Sequence, residues 1–386
     1  MLKINVPDFR IMRFFKNFLP KKVKVIFTLM SISISSGSVL AQVSKPAGLE
    51  HLFTSPLTYT TTYTPTAPRI DGDLSEAVWG AAAWTEGFTD IEGDKKPAPF
   101  FNTRTKMVWD DQYLYIAAEL QEPHVWGNLK NHDEVVFYDN DFEIFLDPDN
   151  NGHQYFEIEV NALNTIFDLF LSKPYRSNSG ALISWDAKGL KSAVKVNGTL
   201  NNPKDTDKGW NVEMAIPFSS VSMGNFTNVP EEGGLWRINF SRVQWETEVI
   251  QGKYVKKKDQ KGKVLPENNW VWSPQGVINM HFPERWGYLK FTKKPLSKAV
   301  ASFSLPYSEK QKQYLWLVYY RQKEYLAKHK KYALTLADLD LKTPVTVDGK
   351  ENALSLESTA NQFTITIKGT DKDSWILNHE GLIRNH

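Results

Sequence analysis

Cysteine is absent from all 386 residues of this chain. That absence excludes disulfide bonds, thiolate metal sites, cysteine nucleophiles and lipid attachment through a cysteine. An excess of either charge is lacking too, because 46 Lys and Arg face 44 Asp and Glu, for a formal net charge of +2. So balanced a composition gives no electrostatic footprint for nucleic acid or for an anionic membrane surface.

Long apolar runs and common catalytic motifs are also missing. The apolar stretch 25–38 is interrupted by serines and is shorter than the ~20 residues that a membrane span requires. The chain contains no H-E-x-x-H pair, no G-x-S-x-G elbow and no P-loop. We therefore expect no membrane span in the processed protein and none of the chemistry that these motifs support.

The N-terminus has the layout of a secretory signal. Positive charge precedes the apolar stretch, and Val39-Leu40-Ala41 fits the small-residue rule for cleavage. This pattern predicts a signal peptide over 1–41, a mature start near Gln42 and a secreted or periplasmic location. The alternative is an uncleaved membrane anchor.

Aromatic residues are abundant, at 13% of the chain with 13 Trp, which suits either a β-rich core or stacking surfaces for flat ligands. Short alternating segments separated by Gly, Pro, Asn and Asp predict a mainly β fold, an antiparallel β-sandwich of the jelly-roll type over 67–292. A linker and lead-in over 42–66 precede it. One short helix is predicted at Asp73–Ala82, and the Lys-rich segment Glu246–Trp270 is predicted to be a solvated hairpin loop. The predicted strands are Thr103–Trp109, Leu114–Gln121, Asp141–Leu146, Tyr155–Val160, Thr165–Leu171, Leu190–Val196, Trp210–Ile216, Leu235–Val243 and Trp286–Phe291.

Residues 141–160 are the most informative stretch. Two strands alternate there around a turn rich in Asp, Asn and Gly. Phe142, Ile144 and Leu146 share one face of the first strand, so we assign that face to a core. Glu143 lies on the other face, and Glu157 and Glu159 follow on the second strand. The pattern predicts carboxylates beside aromatic rings on a polar binding surface.

Six landmarks in order make the chain resemble the family 9-like carbohydrate-binding modules, a DOMON-like β-sandwich group. Each motif alone is weak, but together they extend over roughly 220 residues. They are Ile70-Asp71-Gly72-Asp73-Leu74 with Trp79, Trp109-Asp110-Asp111 with Tyr113-Leu114-Tyr115, Asp141-x-Glu143-Ile144-Phe145-Leu146-Asp147, Gly209-Trp210-x-x-Glu213-x-x-Ile216-Pro217, Trp236-Arg237-x-Asn239-Phe240-x-Arg242, and Pro283-x-x-Trp286-Gly287.

The resemblance implies a carbohydrate ligand, because this family holds a sugar between two tryptophans beside polar groups. Glu143 matches the family's binding glutamate. Where the family has its first tryptophan, this chain has Phe137 and Tyr138, and the family's binding arginine falls near Glu159. Strand alternation places further polar side chains on neighbouring strands. The predicted ligand-binding set is Glu143, Tyr138, Glu157, Arg237, Asn239 and Trp272.

A metal site is predicted in the turn 147–152. Asp147, Asp149 and Asn151 bring together the oxygen ligands that hard cations prefer. The resemblance implies Ca²⁺, since family 9 modules bind calcium. The alternative is a plain Asx-rich turn, because the spacing differs from that of an EF-hand.

The pattern changes after Phe291, so 293–386 is predicted to be a C-terminal extension. It contains a helix over 307–331, with Ser308 as its N-cap and an apolar stripe at Leu315, Val318 and Tyr325, followed by short strands. We expect that stripe to pack against the sandwich, since an isolated helix is marginal in water.

Three functions are compatible with these observations. The first is a secreted, non-catalytic carbohydrate-binding protein that serves polysaccharide capture or degradation. The second is a glycoside-active enzyme, since two of the clustered Glu residues could lie the ~5–10 Å apart that glycoside hydrolysis needs. The third is a scaffold of the cell envelope that binds a protein partner through the C-terminal extension.

Overall fold

A 13-stranded curled sheet dominates the part of the chain that the computed structural model describes, residues 48–224, 229–294, 303–369 and 374–386. The predicted signal peptide over 1–41 lies outside the described residues. Each of the nine predicted strands is present, and Thr103–Trp109 has the predicted bounds. The strands of this sheet are β1 (Thr58–Tyr63), β2 (Thr89–Asp90), β3 (Thr103–Trp109), β4 (Tyr113–Gln121), β5 (Asp141–Asp147), β6 (Tyr155–Asn161), β7 (Ile166–Leu171), β8 (Ala181–Leu182), β9 (Lys191–Asn197), β10 (Gly209–Pro217), β11 (Leu235–Gln244), β14 (Asn268–Val271) and β15 (Gly287–Thr292).

The sheet is mixed, where the sequence predicts an antiparallel one. Its strand order is β8-β7-β6-β5-β11-β15-β1-β3-β4-β10-β9, with β14 beside β11 and β2 beside β14. The pair β1–β15 and the pair β1–β3 are parallel, and the other pairs are antiparallel. β1 lies within 42–66, where we predicted a linker and lead-in. The sequence did not predict this strand because its buried positions, Tyr59 and Thr61, do not form an apolar alternation.

Residues from both halves of the sheet enclose the main core. Phe142, Ile144 and Leu146 of β5 are buried there, as the alternation predicts, together with Trp210 of β10 at the other end of the strand order. Burying a side chain of this size contributes roughly 1.5–3 kcal/mol. The core therefore stabilises the curled sheet.

Two of the sequence landmarks, which lie far apart in the chain, are joined by buried hydrogen bonds. Glu213 of β10 accepts hydrogen bonds from Trp79 Nε1 at 2.7 Å and from the backbone N–H groups of Asp71 and Gly72 at 3.0 and 2.9 Å. Trp79 lies in helix α1, Ala77–Ala81, which is shorter than the predicted Asp73–Ala82. Gly72 has φ +80, and a Cβ at that position would lie 2.8 Å from the Cβ of Lys195.

The Lys-rich segment contains a two-stranded hairpin, as predicted. Its strands are β12 (Thr247–Ile250) and β13 (Lys253–Lys256). The described residues contain no helix that is long and apolar enough to cross a membrane.

The C-terminal extension forms its own layer. Helix α2, Tyr307–His329, packs on a five-stranded antiparallel sheet. The helix begins after Pro306, without a side-chain cap, instead of at Ser308. The strands of this sheet are β16 (Val345–Val347), β17 (Lys350–Ser358), β18 (Phe363–Lys368), β19 (Ser374–Asn378) and β20 (Ile383–Asn385).

The apolar stripe of α2 faces this small sheet, whereas we expected it to face the sandwich. Leu315 and Val318 are fully buried in a cluster with Ile365 and with Leu52 from the N-terminal side, and Tyr325 is partly buried against it. The strands β16–β20 supply the apolar cover that the sequence prediction assigned to the sandwich. The stripe is therefore not open to a protein partner at these positions.

Buried polar groups join the extension to the large sheet. Glu284 accepts two hydrogen bonds from Arg176, at 2.8 and 2.9 Å, and one from the Tyr320 hydroxyl of α2. Glu309 of α2 accepts from Tyr288 of β15 at 2.8 Å and from Arg237 of β11 at 3.4 Å. These contacts fix α2 against one end of β11 and β15.

Candidate functional site

Four carboxylic side chains meet on the face of the large sheet that is opposite the main core. Asp141 and Glu143 alternate with core residues along β5, and Glu157 and Glu159 do so along β6. The register pairs Glu143 with Glu159 and Phe145 with Glu157. We call Asp141, Glu143, Glu157 and Glu159 the carboxylate cluster.

The carboxylate cluster is buried in apolar surroundings. Its members are between 0 and 6% exposed. A second apolar group, which includes Val136, Phe145, Phe167 and Val271, packs on the same face of the sheet. Burial disfavours the charged form of a carboxylic acid, and nearby like charges add to this effect.

The pKa values of the cluster are raised for these reasons. Burial, with the charge of Glu267, raises the pKa of Glu143 to about 7. Burial, with the charge of Glu143, raises the pKa values of Asp141, Glu157 and Glu159 well above their ordinary range. At neutral pH these groups either share protons or require a compensating positive charge.

Hydrogen bonding leaves part of the cluster unsatisfied. Asp141 Oδ1 accepts from the backbone N–H of Val243 at 3.2 Å. Asp141 Oδ2 and Glu159 Oε2 are buried and have no hydrogen-bond partner among the described residues. Unsatisfied buried oxygens are uncommon in folded proteins, so these two atoms point to an additional group at this position.

Two aromatic residues near the cluster in the chain or in space are exposed. Tyr138, three residues before Asp141, is 47% exposed. Tyr175 is 41% exposed, and the charges of Glu157 and Glu159 raise its pKa in addition to burial. Flat rings with a polar rim are suitable for stacking against a sugar.

Trp245 fixes the loop that carries Tyr138. Its Nε1–H donates to the carbonyl of Phe137 at 2.8 Å, and its backbone N–H donates to Asn140 Oδ1 at 2.8 Å. Lys256 of β13 lies 3.3 Å above the Trp245 ring and 5.5 Å from the Tyr138 ring. Burial lowers the pKa of Lys256 to about 8, although Asp139 and Glu267 oppose this shift.

His281 connects Tyr175 to the cluster. Its ring centre lies 4.4 Å from that of Tyr175, and its Nε2 lies 4.0 Å from Glu157 Oε2. The hydroxyl of Tyr155 lies 3.0 Å from His281 Nδ1. Burial lowers the pKa of His281 to about 3, so the ring is neutral beside Glu157.

The structure brings Glu143 and Glu157 together on one face of β5 and β6, but the other predicted ligand residues Trp272, Arg237 and Asn239 are engaged elsewhere. Trp272 is fully buried in the main core, where it packs near Phe240. It therefore offers no face to a sugar. The residue two positions before it, Trp270, is also in that core.

Arg237 and Asn239 have structural partners instead. Arg237 donates to the carbonyl of Trp286 at 2.8 Å and to Asn150 Oδ1 at 2.9 Å, and it contacts Glu309. Asn239 is fully buried and donates to the carbonyl of Ser273 at 2.9 Å. The alternation places both on the polar face, but their hydrogen-bonding groups are used within the protein.

The predicted metal ligands Asp147, Asp149 and Asn151 do lie together in the turn between β5 and β6. Asp147 accepts from the backbone N–H of Gly152 at 2.8 Å, and Asn151 donates to Asp149 Oδ2 at 2.6 Å. Asn151 Oδ1 accepts from the backbone N–H of His153 at 2.7 Å. These bonds are those of an Asx-rich turn, and they use oxygens that a cation would need.

Among the described residues, two groups of acidic and histidine side chains have the spacing of metal ligands, and the turn is not one of them. Asp141, Glu143 and Glu159 form one, with ligand atoms within 4.8 Å of one another. His132, Asp133, Asp168 and Asp186 form the other. His132 Nε2 lies 2.9 Å from Asp186 Oδ1, and this contact raises the pKa of the imidazole. The second group therefore behaves as ion pairs around a histidine.

Sequence reasoning did not select Asp141, Glu159 or Tyr175 as site residues. Asp141 and Glu159 stand out only when the β5–β6 register is known, because that register pairs Glu143 with Glu159. The amino-acid composition of the turn between β5 and β6 is not enough to predict this register. Tyr175 lies in a loop, in a 3-10 turn without periodicity.

Comparisons with known proteins agree with this architecture. Residues 70–268, just over half of the chain, match the family described as "Carbohydrate family 9 binding domain-like". Exoglucanase XynX of Acetivibrio thermocellus is 30% identical over 161 residues, and Endo-1,4-beta-xylanase A of Thermoanaerobacterium saccharolyticum is 29% identical over 160 residues. Each match covers 42% of this chain, and the chain spans only 12% of the length of either relative.

A search of solved structures found similarity to a family 9 carbohydrate-binding module from Caldicellulosiruptor kristjanssonii in complex with cellotriose. It is 18% identical, with a TM-score of 0.39, and the match covers 64% of this chain and all of that one. The same module has also been solved with glucose, at a TM-score of 0.38. On the family match over 70–268, this protein belongs to the carbohydrate family 9 binding domain-like family.

Proposed function

We propose that this protein binds carbohydrate without cleaving it, at the surface where Tyr138 and Tyr175 adjoin the carboxylate cluster. The observation that carries the proposal is the exposure of two rings: Tyr138, three residues before Asp141, and Tyr175, whose pKa is raised by burial and by the charges of Glu157 and Glu159. Rings provide stacking faces for the C–H patches of a sugar, and carboxyl oxygens accept hydrogen bonds from its hydroxyl groups. The names of the two curated relatives suggest a β-1,4-linked glucan or xylan as the ligand class.

Calorimetric titration of the full chain with cello- and xylo-oligosaccharides tests this proposal. Tyr138→Ala should weaken binding, because it removes one of the two exposed rings that the proposal uses. Phe100→Ala is the matched control, since Phe100 is 53% exposed but contacts Phe101 and Trp270 instead. Equal losses in both variants, or no binding by the parent, would refute the proposed site.

Glycoside hydrolysis is the second candidate, because the cluster contains several carboxylic acids with raised pKa values. A glycosidase needs two carboxyl groups about 5–10 Å apart on opposite sides of the scissile bond. Here one carboxyl oxygen from each of Asp141, Glu143 and Glu159 lies within 4.8 Å of the other two, which is closer than this separation. We expect that the protein releases no reducing ends from cellulose or xylan. If it does release them, and if Glu143→Gln abolishes this release, the protein is a glycosidase.

Export is part of the proposal. The charged segment, the apolar stretch 25–38 and Val39-Leu40-Ala41 support cleavage after residue 41. A secreted or periplasmic location suits a protein that captures polysaccharide outside the cell. N-terminal sequencing of the exported protein should start near Gln42, and an intact apolar segment would contradict this.

Calcium at the Asp147–Asn151 turn is a further, separate proposal. Asp147 and Asp149 both have pKa values raised by burial, and a cation would offset the repulsion between them. The charge of Lys312 lowers the pKa of Asp149, and the backbone N–H of Gly152 donates to Asp147, so a calcium ion would compete with these two interactions. If calcium binds there, Asp149→Asn should lower the affinity for the ion.

A further inference from the structure

The Lys-rich hairpin turns one of its lysines toward the body of the protein. Tyr254 and Lys256 are two positions apart on β13, so they share one face of that strand. Tyr254 fixes this face, because its hydroxyl donates to the carbonyl of Asn202 at 3.2 Å and lies 3.1 Å from His124 Nδ1. Lys256 is therefore half-buried, whereas Lys253, on the other face, is exposed.

The amine of Lys256 lies close to two aromatic rings. Its Nζ is 3.3 Å from the centre of the Trp245 ring and 5.5 Å from the centre of the Tyr138 ring. Trp245 is 8% exposed and Tyr138 is 47% exposed, so only the second ring is open to a ligand. A cation over the face of a tryptophan is attracted by the charge distribution of the ring. The buried ring therefore holds the amine beside the exposed one.

This amine lacks the polar partner that two other lysines over tryptophan rings have. Lys106 and Lys312 each lie 4.2 Å from the centre of such a ring. Lys106 donates to the carbonyl of Trp79 at 2.8 Å. Lys312 donates to Glu309 at 2.7 Å. Lys256 has no ion pair and no hydrogen-bond acceptor among the residues that the structure describes, so its three donor hydrogens are available to a ligand.

The acids near Lys256 do not offset its burial. The charges of Asp139 and Glu267 raise its pKa, but burial outweighs them and lowers the pKa to about 8, so the amine is still largely protonated at neutral pH. Asp139 Oδ2 accepts instead from the backbone N–H groups of Asn128 and Leu129, at 2.7 and 2.9 Å. An anionic ligand would therefore gain a charge-assisted hydrogen bond from Lys256 without displacing an ion pair.

We propose that the carbohydrate bound at Tyr138 carries a carboxylate, as a uronic acid does, and that Lys256 binds this group. The proposal rests on the proposed function and narrows its ligand to an acidic one. A carboxylate oxygen binds an ammonium group at about 2.7–2.9 Å. The 5.5 Å between Nζ and the Tyr138 ring centre therefore leaves room for a substituent of a sugar that stacks on the ring. The carboxylate cluster opposes such a ligand less than exposed acids would, because its raised pKa values reduce its negative charge.

Calorimetric titration of the full chain with two xylo-oligosaccharides tests this role of Lys256. The two have the same backbone, and one of them carries a glucuronic acid side group. The parent should bind the acidic one about tenfold more tightly, because hydrogen bonds between charged groups are among the stronger ones. Lys256→Met keeps an apolar stem of similar length but removes the charge. It should lose this preference and bind the neutral oligosaccharide about as tightly as the parent does.

Two further variants separate the contact from a general effect of charge and from a misfolded hairpin. Lys257→Met is the matched control, since Lys257 follows in the chain and pairs with Glu246 at 3.1 Å at an exposed position. It changes the net charge by the same amount and should keep the preference. Lys256→Arg keeps the charge and the contact with the Trp245 ring, so it should keep the preference as well.

The outcomes distinguish the role of Lys256 from the proposed function. Equal binding of the two oligosaccharides by the parent refutes the role of Lys256 but preserves the proposed function. A loss of the preference that is as large in Lys257→Met as in Lys256→Met also refutes that role, because it shows a general effect of charge. If the parent binds neither oligosaccharide, the proposed function is refuted together with it.

Discussion

At the scale of single residues, buried glutamates differ in charge state between helix α2 and the β5–β6 pair. Glu309 is buried but has cationic and hydroxyl partners, so it is charged. Glu143 and Glu159 are equally buried, but they lie beside other acids. Burial alone does not decide the state of a carboxyl group, since its neighbours determine whether the pKa falls or rises.

Glu309 leads to a prediction about pH. Burial alone would raise its pKa, but the charges of Lys312 and Arg237 outweigh burial and lower the pKa below its usual value. A lowered pKa in the folded state stabilises the protein above the pKa of the unfolded state, and this stabilisation disappears as the pH falls through the lowered value. Glu309→Gln removes the paired carboxylate from buried Arg237 and Lys312, so it should cost about 3–5 kcal/mol at pH 7.

Urea unfolding of the parent and of Glu309→Gln from pH 7 to pH 3 measures this difference. The gap between the two proteins should be constant near neutral pH and should narrow below about pH 4. Asp348→Asn is the control, because Asp348 pairs with Lys310 of the same helix at an exposed position. Exposed pairs contribute about 0–1 kcal/mol, so a larger loss there would contradict the argument.

At the scale of elements, short local features hold the sheet in register. Gly72 has φ +80 in the turn before α1 and lies against the backbone of β9. Its N–H donates a hydrogen bond to Glu213 of β10. A side chain there would be strained by the backbone conformation and would meet Lys195. The short α1, by contrast, includes Gly80, which has open space around its Cα.

Alanine substitution at these two glycines should therefore have opposite effects. Gly72→Ala is expected to destabilise the protein by about 1–3 kcal/mol, because the residue needs a left-handed conformation and the space is filled. Gly80→Ala should be neutral or should stabilise by up to about 1 kcal/mol, since alanine is the better helix former. Chemical denaturation measures the free energy of unfolding of both variants. A similar loss of stability in both would contradict a specific role for the turn that Glu213 binds.

Helix α2 is the other element whose role can be measured. Leu315 is fully buried between the helix and the small sheet, whereas Tyr325 lies at the partly exposed edge of the same stripe. Leu315→Ala should cost about 2–5 kcal/mol because it leaves a cavity. Tyr325→Ala should cost less, and equal losses in urea unfolding would show that the stripe is not packed as described.

At the scale of the whole molecule, the sequence predicts more of the fold than of the site. Alternation along β5 and β6 correctly separates Phe142 and Ile144 from Glu143, because a strand has only two faces. The same alternation places Arg237, Asn239 and Glu143 on one face, but it does not reveal that Arg237 binds Glu309 of α2. Partners that come from distant segments depend on tertiary packing, so Trp272 in the core and β1 within the lead-in also escaped prediction.

The large sheet and the C-terminal extension should unfold as one unit. Glu284 joins them: its carboxylate, 1% exposed, pairs with Arg176 and accepts the Tyr320 hydroxyl bond from α2. The apolar cluster beneath α2 includes Leu49 and Leu52, so the extension also covers residues that precede β1. Removing Glu284 leaves Arg176 buried without its partner, which typically costs about 3–5 kcal/mol.

Calorimetry of Glu284→Gln tests this coupling. The parent should show one transition with equal calorimetric and van't Hoff enthalpies, the mark of two-state unfolding. The variant should melt at a lower temperature and should resolve into two transitions, because α2 and the small sheet retain their own apolar cluster while the contact of Tyr320 and Arg176 through residue 284 weakens. Glu324→Gln is the control, since Glu324 pairs with Arg321 on the partly exposed side of the helix. Two transitions already present in the parent would show that the extension is an independent unit, joined to the large sheet only by contacts that contribute little to stability.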